Sequence, residues 1–234
     1  MSIFGLCNSA HFPVKYYSEI RIQNTQDALE KELLEKFKKI KAVLTDVDGV
    51  LTDSTMNFFV TPEGNTVEIK KFSAYDGIAF HMLRDCGIIT GIITGGNAPA
   101  TERRARSLGM DFLYYNFLSK LAPMQDFMKR TGLKAEEIIF IGDDFIDIPA
   151  LKAIGLPCAV ANSRQEVKGC SLYVTDTPGG KGAFREVAEL VLKAQGFWDR
   201  TMQSAEQGTI GKSPKKEPVI VDYKSWNPAY DNVF

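Results

Sequence analysis

The chain predicts an α/β fold, a parallel sheet with helices on both faces, and three observations carry that reading. Short apolar runs alternate with stretches at helical spacing from residue 42 to residue 195. Alternation of this kind gives parallel strands joined by crossover helices. The runs Ala42-Val43-Leu44, Ile88-Ile89-Thr90-Gly91-Ile92-Ile93 and Ile138-Ile139-Phe140-Ile141 are nearly free of polar residues, as strands buried on both faces are. Each run ends in polar residues, at Asp46, Thr94 and Asp143. Polar groups so placed gather at the carboxyl edge of the sheet, where open α/β sheets bind ligands.

The elements follow in order. Leu29, Leu33, Leu34, Phe37 and Ile40 recur at helical spacing among charges, so 27–40 reads as an amphipathic helix. A strand at 42–46 comes next. Asn57-Phe58-Phe59-Val60 and Val67-Glu68-Ile69-Lys70 then flank Thr61-Pro62-Glu63-Gly64-Asn65, the pattern of a β-hairpin. Leaving from the first strand's carboxyl end, that hairpin would stand over the site as a flap. Helix 77–86, strand 88–93, helix 98–108, strand 112–115 and helix 120–131 follow. Strand 138–141, helix 146–153, strand 157–160, a short strand near 172–175 and helix 183–195 complete the series. Right-handed crossovers leave few ways to assemble them, all Rossmann-like. Residues 1–40 read as an N-terminal extension carrying the amphipathic helix, 41–199 as the α/β domain and 200–234 as a C-terminal tail. Residues 208–218 are rich in Gly, Ser, Pro and Lys, and Tyr223, Trp226, Tyr230 and Phe234 follow without period. The tail is expected to be ordered only where those aromatics find a surface.

Composition excludes several classes of function. With 44% hydrophobic and 24% charged residues, the chain is that of a globular protein. A net charge of -1 gives no field for nucleic acid or an anionic membrane, so an anionic substrate must be held by local charges. No apolar run approaches the ~20 residues that span a bilayer. The stretch 1–11 has no basic residue before Phe4-Gly5-Leu6 and makes a poor signal peptide. The cysteines Cys7, Cys86, Cys158 and Cys170 lie far apart, with only His11 and His81 beside them. That pattern argues against zinc and for buried free thiols in a reducing compartment, the cytoplasm.

The polar strand ends describe phosphoryl chemistry. Phosphate monoesters hydrolyse so slowly that enzymes reach accelerations of up to ~10^21 on them. One route divides the reaction through a covalent aspartyl phosphate. Such a route needs a carboxylate in line with the phosphorus, a cation against the charge repulsion and a proton donor for the leaving alkoxide. In Asp46-Val47-Asp48-Gly49 the two acids lie two apart where the chain turns, so Asp46 can face phosphorus while Asp48 reaches the bridging oxygen. Gly49 permits close backbone approach. A calcium loop fails here, because its required glycine falls on Leu51 and its closing Glu on Asn57. Asp143, Asp144 and Asp147 crowd a helix start. Capping accounts for one or two of them; three suggest a neutralising cation, and oxygen ligands favour Mg²⁺. Thr94, with Gly95 and Gly96 before a helix, suits a phosphate oxygen, and equally an ordinary cap. Lys120 also opens a helix.

These motifs in this order resemble the haloacid dehalogenase superfamily across roughly 41–195. The resemblance implies Asp46 as nucleophile, Asp48 as general acid/base, and Thr94 and Lys120 as phosphate holders. It implies Mg²⁺ on Asp46, Asp143 and the backbone carbonyl of Asp48, with Asp144 or Asp147 in the outer shell. Only the hairpin and one helix fit between Asp48 and Thr94, and one helix between Lys120 and Asp143, so no cap domain is expected. Among capless members the chain is most similar to the 3-deoxy-D-manno-octulosonate 8-phosphate phosphatases and their nonulosonate 9-phosphate relatives. The matching stretches are Asp46-Val47-Asp48-Gly49-Val50-Leu51-Thr52-Asp53, Asp76-Gly77, Ile92-Ile93-Thr94-Gly95, Ser119-Lys120-Leu121, Ile141-Gly142-Asp143-Asp144-Phe145-Ile146-Asp147 and Gly179-Gly180-Lys181-Gly182-Ala183-Phe184-Arg185-Glu186.

The resemblance further implies a homotetramer in which a C-terminal segment helps close a neighbour's site, and a role in lipopolysaccharide synthesis. Departures bear on the substrate. The octulosonate enzymes usually carry Arg where this chain has Tyr75, His81 and Gly96; Arg104 matches a family arginine, and Lys181 replaces another. Fewer guanidinium groups weaken bidentate carboxylate recognition. The expected substrate is a small acidic sugar phosphate, held by Thr94, Gly95, Lys120, Asp76, Gly77, Arg104, His81 and Lys181. The alternative is an idle assembly domain, like those appended to sugar-acid cytidylyltransferases. A phosphomutase would need a cap, and none fits.

Overall fold

The computed structural model describes residues 4–5, 11–12, 25–96 and 99–226. The readings of 1–11 as a poor leader, of Cys7, of the helix start at 98, and of Tyr230 and Phe234 lie outside the described residues or their described side chains. β1 (Phe4–Gly5) and β2 (His11–Phe12) pair antiparallel ahead of α1 (Thr25–Lys38). The main sheet has seven strands in the order β10-β9-β8-β3-β6-β7-β11, every neighbouring pair parallel. Its strands are β3 (Ala42–Thr45), β6 (Ile89–Ile93), β7 (Phe112–Tyr115), β8 (Ile138–Gly142), β9 (Leu156–Ala159), β10 (Tyr173–Val174) and β11 (Val219–Asp222). Between β3 and α2 (Ala74–Asp85), β4 (Asn57–Val60) and β5 (Thr66–Ile69) form the expected hairpin. The chain runs outward from β3 to one side first and then returns to build the other, so the strand order reverses at β3. That reversal opens a crevice at the carboxyl end of β3.

Both faces of the sheet are covered, and the buried strands alternate between two cores. Val43, Ile139 and Ile141 face a layer with Phe37 of α1, Phe80 and Leu83 of α2, and Phe184, Val187 and Val191 of α7 (Ala183–Ala194). The rings of Phe80 and Phe184 stack there at 4.0 Å. Ala42, Leu44, Ile138 and Phe140 face Met124 and Phe127 of α4 (Leu121–Thr131) and Ala150 and Leu151 of α5 (Ile148–Leu151). α3 (Pro99–Leu108) joins the first layer through Ala105 and Leu108, and α6 (Gln165–Lys168) the second through Val167.

Several elements differ from expectation for local reasons. α2 begins three residues early because the Ser73 hydroxyl caps it, accepting from the Tyr75 N–H. The expected helix 146–153 is a 3-10 turn, Phe145–Asp147, followed by α5. There the Asp144 side chain accepts from the Phe145 N–H, and Asp147 reaches back to the Asp144 N–H. α8 (Trp198–Glu206) crosses the expected boundary after residue 199 and packs on α7, and within the segment read as a tail β11 pairs with β7. Tyr223 and Trp226 find their surface on Phe117, at ring separations of 5.2 and 5.5 Å.

Candidate active site

Asp46 is the first residue past β3, which ends at Thr45. Its N–H donates to the Ile141 carbonyl, so the β3–β8 ladder fixes its backbone. The side chain is buried. Its Oδ1 accepts from the Val47 N–H at 2.7 Å and lies 3.0 Å from the Lys120 ammonium, which leaves Oδ2 for bond formation. Lys120 is wholly buried, and its ammonium also lies 3.0 Å from Asp147 Oδ1. Burial alone would lower the lysine's pKa, but the two carboxylates raise it above the ordinary value, so Lys120 is a fixed positive charge.

The turn after β8 brings the remaining acids. Asp147 Oδ2 accepts from the backbone N–H groups of Asp143 at 2.9 Å and Asp144 at 3.2 Å, so this one buried carboxylate shapes the turn and holds Lys120. Asp46, Asp143 and Asp147 each offer an oxygen within 4.8 Å of the others, close enough to share a metal ion. Asp144 lies outside it, exposed and capping its own turn. Asp143 Oδ1 is buried with no partner among the described atoms. Burial, reinforced by Asp46, Asp147 and Asp144, pushes the Asp143 carboxyl up to about 8. Burial pushes Asp46 up to about 6 against the pull of Lys120. Three carboxylates with one buried ammonium and an orphaned oxygen fit a divalent cation. Gly49 makes room for this arrangement: at φ +101°, a Cβ there would meet Asp143 Oδ2 at 2.0 Å.

Asp48 follows two residues past Asp46, where the Lys70 ammonium meets its Oδ1 at 2.5 Å. Lys70 follows β5, so the hairpin is tied to Asp48; Glu68 holds the same ammonium at 2.9 Å. Reading the sequence missed Lys70. Its signal was faint, a lysine ending the flap strand with Glu68 two residues before it. Thr94 is buried at the end of β6, and its hydroxyl accepts from the Gly96 N–H. Gly96 lies close to Asp48: a Cβ there would be 3.6 Å from Asp48 Oδ2.

The expected substrate residues divide. Arg104 lies along Gly77, where a Cβ would meet its guanidinium at 2.6 Å, and it donates to the Ser73 carbonyl. Asp76 Oδ1 accepts from the Arg185 N–H at 2.9 Å, which ties α2 to the start of α7. His81 is engaged elsewhere, with Nδ1 3.0 Å from Arg84 and its ring beside Gly211. Burial and the Arg84 charge hold its pKa below the ordinary value. Lys181 is exposed, but its segment is pinned to its own chain. Gly180 N–H donates to the Val50 carbonyl, and Gly179 N–H to Asn162. A Cβ on Gly179 would fall 1.7 Å from the Gly49 carbonyl, a contact only glycine permits. Glu186 holds the same loop through the N–H groups of Asp176 and Thr177.

Residues 57–155 match the family model of haloacid dehalogenase-like hydrolases. The 3-deoxy-D-manno-octulosonate 8-phosphate phosphatase KdsC of Haemophilus influenzae is 40% identical over 162 residues, covering 69% of this chain and 88% of that protein. The enzyme of the same name from Escherichia coli K12 is 34% identical over 168 residues, 72% of this chain and 87% of that protein. Among solved structures, the phosphatase of Moraxella catarrhalis in complex with magnesium, phosphate and KDO superposes with a TM-score of 0.70 at 35% identity. That match covers 75% of this chain and 98% of the other.

Proposed function

The chain belongs to the haloacid dehalogenase-like hydrolases, among the 3-deoxy-D-manno-octulosonate 8-phosphate phosphatases, and on that premise we propose how its own residues carry the reaction and on which substrate. It is a Mg²⁺-dependent sugar phosphate phosphatase. The observation that carries the mechanism is the buried Asp46 carboxylate, fixed through Oδ1 by Lys120 and Val47 with Oδ2 left over.

Oδ2 of Asp46 attacks phosphorus, and the bond from phosphorus to the sugar oxygen breaks. Asp48, held by Lys70, gives its proton to the leaving alkoxide. Water then attacks the aspartyl phosphate, Asp48 takes back a proton, and inorganic phosphate leaves with Asp46 regenerated. Thr94, Gly95 and Lys120 hold the phosphoryl oxygens, and Asp147 holds Lys120 and the turn carrying Asp143. Asp46, Asp143 and the Asp48 carbonyl would hold Mg²⁺, with Asp147 behind them. When bound, the cation neutralises the carboxylates and draws charge from the phosphoryl oxygens. The idle assembly domain is not favoured, since an idle fold has no use for buried, mutually repelling acids.

For substrate we propose 3-deoxy-D-manno-octulosonate 8-phosphate or a nonulosonate 9-phosphate, and with it a role in lipopolysaccharide synthesis. The relatives' activity supports this, as do the charges of Arg104 and Lys181. The missing arginines at Tyr75, His81 and Gly96 lower selectivity rather than change the chemistry. We also propose a homo-oligomer, a tetramer, in the cytoplasm. No described helix is long and apolar enough to cross a membrane. Cys86, Cys158 and Cys170 are free thiols, as a reducing compartment allows, but only Cys158 is buried as expected; Cys86 and Cys170 are half-buried.

The test is Asp46→Asn, which keeps shape and loses the nucleophile. Turnover should fall below about a thousandth of wild type. EDTA should silence the wild type and Mg²⁺ restore it. Retained turnover in the variant would overturn the mechanism. Equal kcat/KM for octulosonate 8-phosphate and glucose 6-phosphate would overturn the substrate.

A further inference from the structure

The loop from β7 to Lys120 joins the two groups read as phosphate holders. Thr94 N–H donates to the Tyr114 carbonyl, Phe117 N–H to the Thr94 carbonyl, and Asn116 N–H to the Gly96 carbonyl. Leu118 lies against Gly95, where a Cβ would be 3.2 Å from its side chain. Four residues beyond Asn116, Lys120 enters the buried carboxylates. The position of 116–120 therefore sets Thr94 and Gly95 against Lys120.

Asn116 is the weak point of that loop. Its φ of 66° is left-handed, a conformation that asparagine tolerates better than most residues but that still costs free energy. Something must hold it there. β11 runs parallel beside β7 with Asp222 opposite Tyr115, and its last carboxylate accepts from the Asn116 side-chain amide at 2.6 Å. Asp222 Oδ1 also takes the Lys224 N–H, which fixes the 3-10 turn that follows. That turn lays Tyr223 and Trp226 edge-on against the buried Phe117. Two adjacent loop residues are thus gripped, one by a charged hydrogen bond and one by two aromatic rings.

We propose that segment 219–226 is a clasp that fixes the phosphate-holding loop of its own chain, with Asp222 as the positioning residue acting through Asn116. The proposal rests on reading Thr94 and Lys120 as phosphate holders. Asp222 touches no substrate. Its effect falls on phosphate affinity, because the loop sets the distance between groups that must close on one phosphoryl group together.

The experiment uses the full chain with Mg²⁺ and p-nitrophenyl phosphate, and inorganic phosphate as competitive inhibitor. Asp222→Ala should raise KM and the phosphate inhibition constant together by about tenfold, as expected for losing a hydrogen bond to a charged acceptor, with kcat within about threefold. Asp222→Asn keeps an acceptor oxygen and should stay within about twofold of wild type. Asn116→Gly removes the amide together with the backbone cost that the bond offsets, since glycine accepts the angle freely, so it should raise both constants less than Asp222→Ala does. The double variant should be no worse than either single one, as for two ends of one interaction. A merely structural role would instead lower kcat through lost active protein and leave KM alone; that outcome, or unchanged constants in both single variants, overturns the clasp. A wild type that neither turns over nor is inhibited by phosphate removes the phosphate-site reading and the clasp with it. A competent wild type with indifferent variants removes the clasp only.

Discussion

Asp76 is a buried carboxylate with one oxygen used. Oδ1 takes the Arg185 N–H while Oδ2 has no partner among the described atoms. Burial pushes its pKa up to about 6, against the N–H of Arg185 and the charges of Arg104 and Arg185. The native state therefore binds this proton more tightly than the unfolded chain, where an aspartate titrates near ~3.9. Its contribution to stability is complete below about pH 4 and is lost as pH rises through about 6, to the extent of roughly 1–3 kcal/mol. Urea unfolding of wild type and Asp76→Asn across pH 4 to 7 checks this. The variant should gain on wild type as pH rises through that window; a constant difference would show that Asp76 does not titrate there. Asp46, Asp48, Thr94 and Asp143 were legible as neighbours of one crevice because they follow strand ends, and strand ends are readable from apolar runs; Lys120 opens a helix instead and was marked only by its place between the motifs. The surroundings of His81 could not be read from the sequence, since its ring meets Arg84 and lies beside Gly211, far along the chain. No local pattern tells a helix face that meets substrate from one that meets a returning loop.

The hairpin was legible as an element, from its turn residues and alternation, whereas its chemical part was not. Lys70 delivers its ammonium to Asp48 from a strand end whose side chain could have faced either way, and only the folded flap decides. Its side chain is almost wholly enclosed and shared with Glu68, so the pair is not an exposed surface ion pair. If Lys70 orients the proton donor, Lys70→Met should lower kcat at least about tenfold while KM moves less than about threefold, and Lys70→Arg should recover part of the loss. Unchanged kcat in Lys70→Met would show that the flap has no hand in proton transfer. β11 was illegible for another reason. Val219-Ile220-Val221-Asp222 is too short to stand out after a stretch rich in Pro and Lys, and its partner β7 lies about a hundred residues earlier. Edge strands added from a distance are decided by tertiary pairing, not by local preference.

At the scale of the whole molecule, the flap is exposed on both faces. Met56, Phe58, Phe59, Val60, Val67 and Ile69 are each between 47% and 61% accessible. A two-stranded sheet is marginal by itself, and a patch of this kind on a globular protein marks an interface. Symmetric self-association is the commonest way to cover one, so a second copy of the chain is the expected occupant. Phe58→Glu with Phe59→Glu should then yield smaller particles by light scattering, with turnover reduced because the flap carries Lys70. The glycine-rich segment poses a sharper question, because Gly179 and Gly180 pin it to its own Val50 and Gly49 while Lys181 stays exposed. An exposed lysine on a rigid mount can act on its own site or on a neighbour's, and mixing separates the two. Asp46→Asn subunits lack the nucleophile and Lys181→Glu subunits lack the lysine, so each is expected to be inactive alone. After subunit exchange, activity returns only if an intact nucleophile can use a neighbour's lysine. A lysine acting within its own chain leaves every mixed assembly dead. A fully active monomer, or dead mixtures after verified exchange, would show that each subunit closes its site by itself. Recovered activity would mean that an open, capless site is completed by the assembly, where excluding water strengthens every charge on the phosphoryl group.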